Sequence, residues 1–114
     1  MREVRVAIPT KGDKGLQDEV AEVFGRAKTI TVIDLVNGEV KGVQVLQNPA
    51  ASYRFGAGPI VVKTLADLKV NVVVASELGP GASTLLDEQK IIKVIVKPHT
   101  SVSEAIKAAA AQVN

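Results

Sequence analysis

The feature that most constrains this chain is a change of apolar period along its length. Val4 to Ile8 and Lys28 to Leu35 are short, β-branched runs of strand length. Asn37-Gly38 follows the second run. Both residues tolerate positive φ, so Glu39 to Leu46 is expected to return as the antiparallel arm of a hairpin. Beyond residue 58 the pattern alternates between helix and strand. Val62, Leu65 and Ala66 give one helical face, and Val72 to Ala75 is a compact strand. Leu85 and Leu86 mark a second helix, and Ile91 to Val96 is the last strand. Strands alternating with helices predict a mostly parallel sheet with helices on its faces. One hairpin strand must run against the others.

The boundaries follow from punctuation. Pro9 is expected to end the first strand, and Thr10 to Gly15 to form a loop. Val20, Val23 and Phe24 fall at i, i+3, i+4, predicting a short helix stopped by Gly25. Asn48 to Gly58 reads as a long loop. Pro59 and Pro80 can each open a helix at its first position, where a missing N–H is harmless. Ser101 and Glu104 match a capping box. Val102, Ala105, Ile106, Ala109, Ala110 and Val113 then share one helical face.

With 114 residues, the chain has the length of one domain, spanning 1–114 without a linker. Few aromatic residues are present (Phe24, Tyr53, Phe55), which argues against a stacking platform for nucleic acid. The net charge of +2 implies neither nucleic-acid nor membrane binding. The chain has no cysteine, which excludes disulfides and thiolate metal sites. A cytoplasmic location and a monomer or weak dimer are expected. His99 is the only histidine, so one chain cannot assemble a typical transition-metal site. The acids form no cluster of the kind two-metal phosphoryl chemistry needs, so no enzymatic activity is expected.

Three glycine-bearing segments stand out: Lys11-Gly12, Gly56-Ala57-Gly58-Pro59 and Gly79-Pro80-Gly81. Glycines let backbone N–H groups approach a ligand, and helix N-termini favour anions. All three segments are expected at the carboxyl edge of the parallel strands, where open α/β sheets bind ligands. Their spacing matches neither a Walker loop nor a dinucleotide fingerprint. Arg26 and Arg54 flank two of them, and guanidinium forks suit anions. Each feature taken alone is also compatible with turns and solvated surface charge.

An ordered set of short motifs carries a resemblance. It runs Val6-Ala7-Ile8-Pro9-Thr10, Val23-Phe24-Gly25-Arg26-Ala27, Ile33-Asp34, Asn37-Gly38-Glu39-Val40, Asn48-Pro49-Ala50, Gly56-Ala57-Gly58-Pro59 and Gly79-Pro80. Over residues 4 to 108 this order resembles the nitrogenase iron–molybdenum cofactor biosynthesis family, which includes NifX-like carriers and the NifB C-terminal domain. The resemblance implies a ribonuclease H-like three-layer α/β fold, with a five-stranded mixed sheet, one antiparallel hairpin strand and flanking helices. It implies as ligand the iron–molybdenum cofactor, its precursor or another Mo–S cluster. It also implies a protein partner in cofactor delivery. Family members often have His-Phe-Gly-Arg where this chain has Val23-Phe24-Gly25-Arg26, and many carry a His near the position of Ser52 to Arg54. The side chains best suited to ligate metal directly are absent here.

The sequence therefore points to a non-enzymatic binding or carrier protein for an anionic metallocluster or small oxyanion. The candidate ligand-binding residues are Lys11, Gly12, Arg26, Arg54, Gly56, Gly58, Gly79 and Gly81, with no metal ligand. The alternative is a protein-interaction or regulatory domain that has lost the cluster site.

Overall fold

The computed structural model describes residues 2–113. Five strands form one mixed sheet in the order β3-β2-β1-β4-β5. They are β1 (Glu3–Thr10), β2 (Thr29–Val36), β3 (Glu39–Gln47), β4 (Val72–Ala75) and β5 (Ile92–Ile95). β2 pairs antiparallel with both β1 and β3, whereas β1, β4 and β5 are parallel. One hairpin strand therefore opposes the rest, as the alternation predicts.

Three helices cover the sheet: α1 (Ala57–Asp67), α2 (Pro80–Glu88) and α3 (Val102–Val113). Successive side chains of a strand point to opposite faces, and here both faces are buried. Ala7, Ile30, Val32, Val73 and Ala75 pack with α1 and α2. Val6, Ile8, Ile33, Leu35, Val72 and Val74 pack with α3. The core is aliphatic apart from Phe24. The face of α3 holds as expected, with Val102, Ala105, Ile106 and Ala109 buried. Ser101 Oγ accepts the Glu104 N–H at 3.1 Å, but the Glu104 carboxylate turns to Lys107, so only half of the box forms.

Three expectations need correction. β1 continues through Pro9. The Pro9 carbonyl accepts from the Ala21 N–H, so the side where its own N–H is missing faces away from β2 and no rung is lost. The helix expected at Val20 to Phe24 does not form. Val20 packs in the α3-side core and Phe24 in the opposite one, while Val23 is exposed. Residues that serve two faces cannot share one helical stripe, and Val20 is extended, exchanging backbone bonds with His99 and Thr100. Helicity in this region is confined to a 3-10 turn at Gly15–Gln17. Finally, α1 starts at Ala57, so Pro59 is its third residue; its missing N–H is still one that no helical carbonyl would take.

α1 and α2 end alike. Lys69 (φ 59°) and Lys90 (φ 60°) take the left-handed conformation that usually falls to glycine after a helix. In each case the next apolar residue bonds back into the last turn, Val70 to Leu65 and Ile91 to Leu86. A β-carbon is unfavourable there. Lys69→Gly and Lys90→Gly should each stabilise the fold by about 0.5–1 kcal/mol, roughly additively. Urea denaturation of the single and double variants checks this.

Candidate functional site

Because α1 and α2 pack antiparallel to β4, both begin at the carboxyl edge of the parallel strands. A cleft of about 250 Å³ opens there, lined by Val23, Phe24, Gly25, Arg26, Ala57, Gly58, Glu77, Gly79 and Ala82. Three chain segments meet in it: the turn at residues 23–26 and the first turns of α1 and α2. Gly25 sets their spacing. A β-carbon on it would lie 2.8 Å from the Gly58 nitrogen and 3.1 Å from Ala57 Cβ. Asn48, which is buried, holds the same turn by donating to the Gly25 and Ala27 carbonyls at 2.9 and 2.8 Å.

The two helix starts are chemically open. Neither α1 nor α2 has a side-chain cap or an acid in its first turn. By contrast, α3 has both Ser101 and Glu104. The N–H groups of Ala57, Gly58, Gly81 and Ala82 precede any helical acceptor, and the positive ends of two helix dipoles are left uncompensated. Glycine at two of the neighbouring positions is not demanded by the fold. Gly79 is extended (φ −65°, ψ 161°), and a β-carbon at Gly79 or Gly81 meets open space. A glycine inside a helix costs about 0.5–1 kcal/mol relative to alanine, and Gly81 carries that cost without steric need. What it provides is access to the backbone. Gly56 differs, since its φ of 74° calls for glycine in its own right.

Arg26 lines the cleft and takes part in no ion pair among the described residues. Glu77 is the one carboxylate in the lining. Of the predicted residues, Arg26, Gly58 and Gly79 come together here. Gly56 and Gly81 belong to the same helix starts and are exposed but are not in the lining, and Arg54 sits on the exposed loop before α1.

Lys11 and Gly12 lie elsewhere, which corrects the expected convergence of all three loops. They share the sheet edge but line a separate hollow with Asp18, Glu19 and Lys28. The anion acceptor of that loop is internal. The buried Asp18 carboxylate accepts the N–H groups of Gly12, Lys14 and Glu19 at 3.0, 3.1 and 2.8 Å. Beneath it, the hydroxyls of Thr10, Thr29 and Thr31 form a buried cluster that also ties down the Gly12 carbonyl.

Lys11 itself bonds Glu19 at 3.2 Å and stands 3.3 Å from His99 Nδ1. The other ring nitrogen of His99 meets Glu22 at 2.8 Å. Lys11, and after it His99, holds the Glu19 carboxyl below the usual carboxylate range. A depressed carboxylate contributes stability above its unfolded pKa and loses it as pH falls through the folded value. Glu19 is solvated, so this contribution is small. Lys11→Met should raise the Glu19 pKa towards the ordinary carboxylate value, read by carboxyl NMR titration. The described residues contain no group of three or more His, Asp or Glu placed to hold a metal ion.

A larger hollow, of about 410 Å³, lies at the opposite end of the sheet. Its Arg5 and Asp34 are committed to each other. Arg5 bonds Asp34 at 2.7 Å and the Leu68 carbonyl at 2.7 Å, and this pairing holds its pKa above the ordinary value. No helix of the described chain is long and apolar enough to cross a membrane.

Fold and cleft together define a small α/β domain that presents paired helix N-termini and an arginine at one sheet edge. Comparison with known proteins gives the class a family. Residues 2–112 match the family model described as dinitrogenase iron-molybdenum cofactor, and the chain belongs to that family. An uncharacterized protein of Methanocaldococcus jannaschii is 26% identical over 104 residues, covering 91% of this chain and 83% of that one. The apo form of the orange protein from Desulfovibrio gigas superposes with a TM-score of 0.84 at 25% identity, over 95% of this chain and 88% of that one. A candidate NifB protein from Thermotoga superposes at 0.75 with 31% identity, again over 95% and 88%. Membership associates the chain with iron–molybdenum cofactor biosynthesis or binding.

Proposed function

We propose that this protein is a non-enzymatic carrier that holds a small, multiply charged anion, of the molybdenum–sulfur or molybdate type, in the cleft between α1 and α2. One observation carries the reading: two uncapped helix N-termini without first-turn acids open onto one cleft beside an arginine that has no ion pair among the described residues. Helix N-termini of this kind are ready-made anion sites. The family association supports a molybdenum-containing ligand such as the iron–molybdenum cofactor or its precursor. The donor set suits second-sphere contacts, since N–H groups and a guanidinium donate hydrogen bonds and do not ligate metal. The ligand would bring its own inner sphere complete.

At about 250 Å³ the cleft lies below the usual range of ligand pockets, which start at about 300 Å³, and this favours a compact ion. The enzymatic reading has less support, because Asp34 is neutralised by Arg5 at the far end of the sheet. The mixed five-stranded sheet with helices on both faces is consistent with the ribonuclease H-like description, and the fold acts here as a scaffold.

Calorimetric titration with tetrathiomolybdate and with molybdate tests the proposal. Binding of one anion per chain is expected. A hydrogen bond to a charged group contributes about 1.5–3 kcal/mol, so Arg26→Ala should weaken binding roughly 10-fold or more. Absence of binding to either anion, or an Arg26→Ala variant that binds as well as the parent, contradicts it.

A further inference from the structure

Phe55 is 86% exposed, and Tyr53 and Val23 on the adjoining surface are 44% and 39% exposed. Burying a phenylalanine ring is strongly favourable, and the fold forgoes that here. The local backbone enforces the exposure. Tyr53 N–H bonds back to the Ala50 carbonyl, and Gly56 at φ 74° reverses the chain into α1, so residues 51–55 stand outside the turn. Asn48 ties this loop to the turn at residues 23–26. At the other end of the loop Ala57 packs against Gly25, so residues 51–55 leave from and return to the turn that carries Val23 and Arg26.

Phe55 does not line the cleft, so contact with a small ion leaves it unexplained. Neither Arg26 nor Arg54 takes part in an ion pair among the described residues, and Glu22 nearby is taken by His99. Aromatic residues and arginine, at the centre and rim of one patch, are the composition of interface hot spots.

From this we infer that Tyr53, Arg54 and Phe55, with Val23 and Arg26, form a docking surface for a folded protein that offers an apolar socket rimmed by carboxylates. The charge decides among occupants. A second copy docked through the same patch would add two more arginines and no carboxylate to pair with them. Lipid recognition takes clusters of about 4–8 basic residues, and this patch has two. An acidic-rimmed protein satisfies the aromatic and the arginines together. The inference does not depend on what the cleft holds, and it stands if the cleft binds nothing.

A photo-crosslinking phenylalanine analogue placed at position 55, in the full chain in its native cells, tests it, with Lys69 at the opposite end of the sheet as the control site. One protein should crosslink from position 55 and not from 69. Once identified and purified, it should bind the parent chain in a salt-sensitive way. Phe55→Ser and Arg54→Glu should each weaken that binding at least 10-fold while leaving the thermal midpoint unchanged, because both side chains are exposed. Several outcomes overturn the inference: no crosslinked protein, binding indifferent to both substitutions, crosslinking to a second copy of this chain, or Phe55-dependent sedimentation with phosphatidylglycerol vesicles.

Discussion

Gly25→Ala is expected to destabilise the protein by about 2–3 kcal/mol, far more than one added methyl group would on an open surface. The new β-carbon would fall 2.8 Å from the Gly58 nitrogen, 3.1 Å from Ala57 Cβ and 3.2 Å from the Ala57 carbonyl carbon. Two of these three are backbone atoms, and no rotamer change moves them away. Relief requires either the turn or the start of α1 to shift. The turn is held by Asn48, whose two donors go to Gly25 and Ala27. The helix is held by Val61, Val62 and Leu65 in the core. The clash therefore falls on the geometry that brings Arg26 to the helix N-termini. Urea denaturation should show the lost stability, and anion titration should show weakened binding. A Gly25→Ala variant as stable as the parent would mean that the close approach is not a constraint.

Gly79→Asp should act with opposite signs on stability and binding. Gly79 is the N-cap of α2, it is extended, and a β-carbon there has room. Aspartate is a better cap than glycine by a few tenths of a kcal/mol, and its charge is favourable at a helix N-terminus by about 0.3–1 kcal/mol. The variant should thus be stabilised by about 0.5–1 kcal/mol. The same carboxylate would sit in the cleft as an internal anion, much as Asp18 does in the neighbouring loop. Like charges brought together cost several kcal/mol. A penalty of about 2 kcal/mol corresponds to roughly 30-fold weaker tetrathiomolybdate binding. If Gly79 served only as a turn, stability would rise and the affinity for the anion would not change.

The sheet and helices were legible because their signals are local. Asn37-Gly38 turns at φ 52° and 84°, and Glu39–Gln47 returns beside β2 as the hairpin pattern requires. Val72–Ala75, buried on both faces, stood out as an unbroken apolar run. Gly79-Pro80 marked the start of α2. Val20 to Phe24 reads as a helix because helical spacing and alternate-face burial look alike over so few residues. Val20 and Phe24 belong to different cores, which only the tertiary structure reveals.

Parts of the site depended on contacts that spacing does not encode. Gly25 looked like a helix stop, but its role is to let α1 approach. Gly12 looked like an open donor, but Asp18, further along the chain, already satisfies it. Glu77, Ala57 and Ala82 carry no distinguishing side-chain signal; Ala57 and Ala82 enter the cleft through the placement of their helices, and Glu77 through the loop between β4 and α2. One pattern could have been found by inspection: Gly58-Pro59 and Lys69 recur at the same spacing as Gly79-Pro80 and Lys90. The two units, α1–β4 and α2–β5, share their ends, while α1 begins two residues earlier relative to its Gly-Pro pair than α2 does. The repeated unit is why two helix N-termini arrive at one edge of the sheet.

The most direct test of the anion cleft is a ¹⁵N NMR titration of the full chain with tetrathiomolybdate, read amide by amide. The predicted result is a saturable shift of the Ala57, Gly58, Gly81 and Ala82 amides and of the Arg26 side chain, with the Gly12 and Lys14 amides unmoved because Asp18 already holds them. Shifts confined to Gly12 and Lys14, shifts spread over the whole surface, or no shifts at all would contradict it.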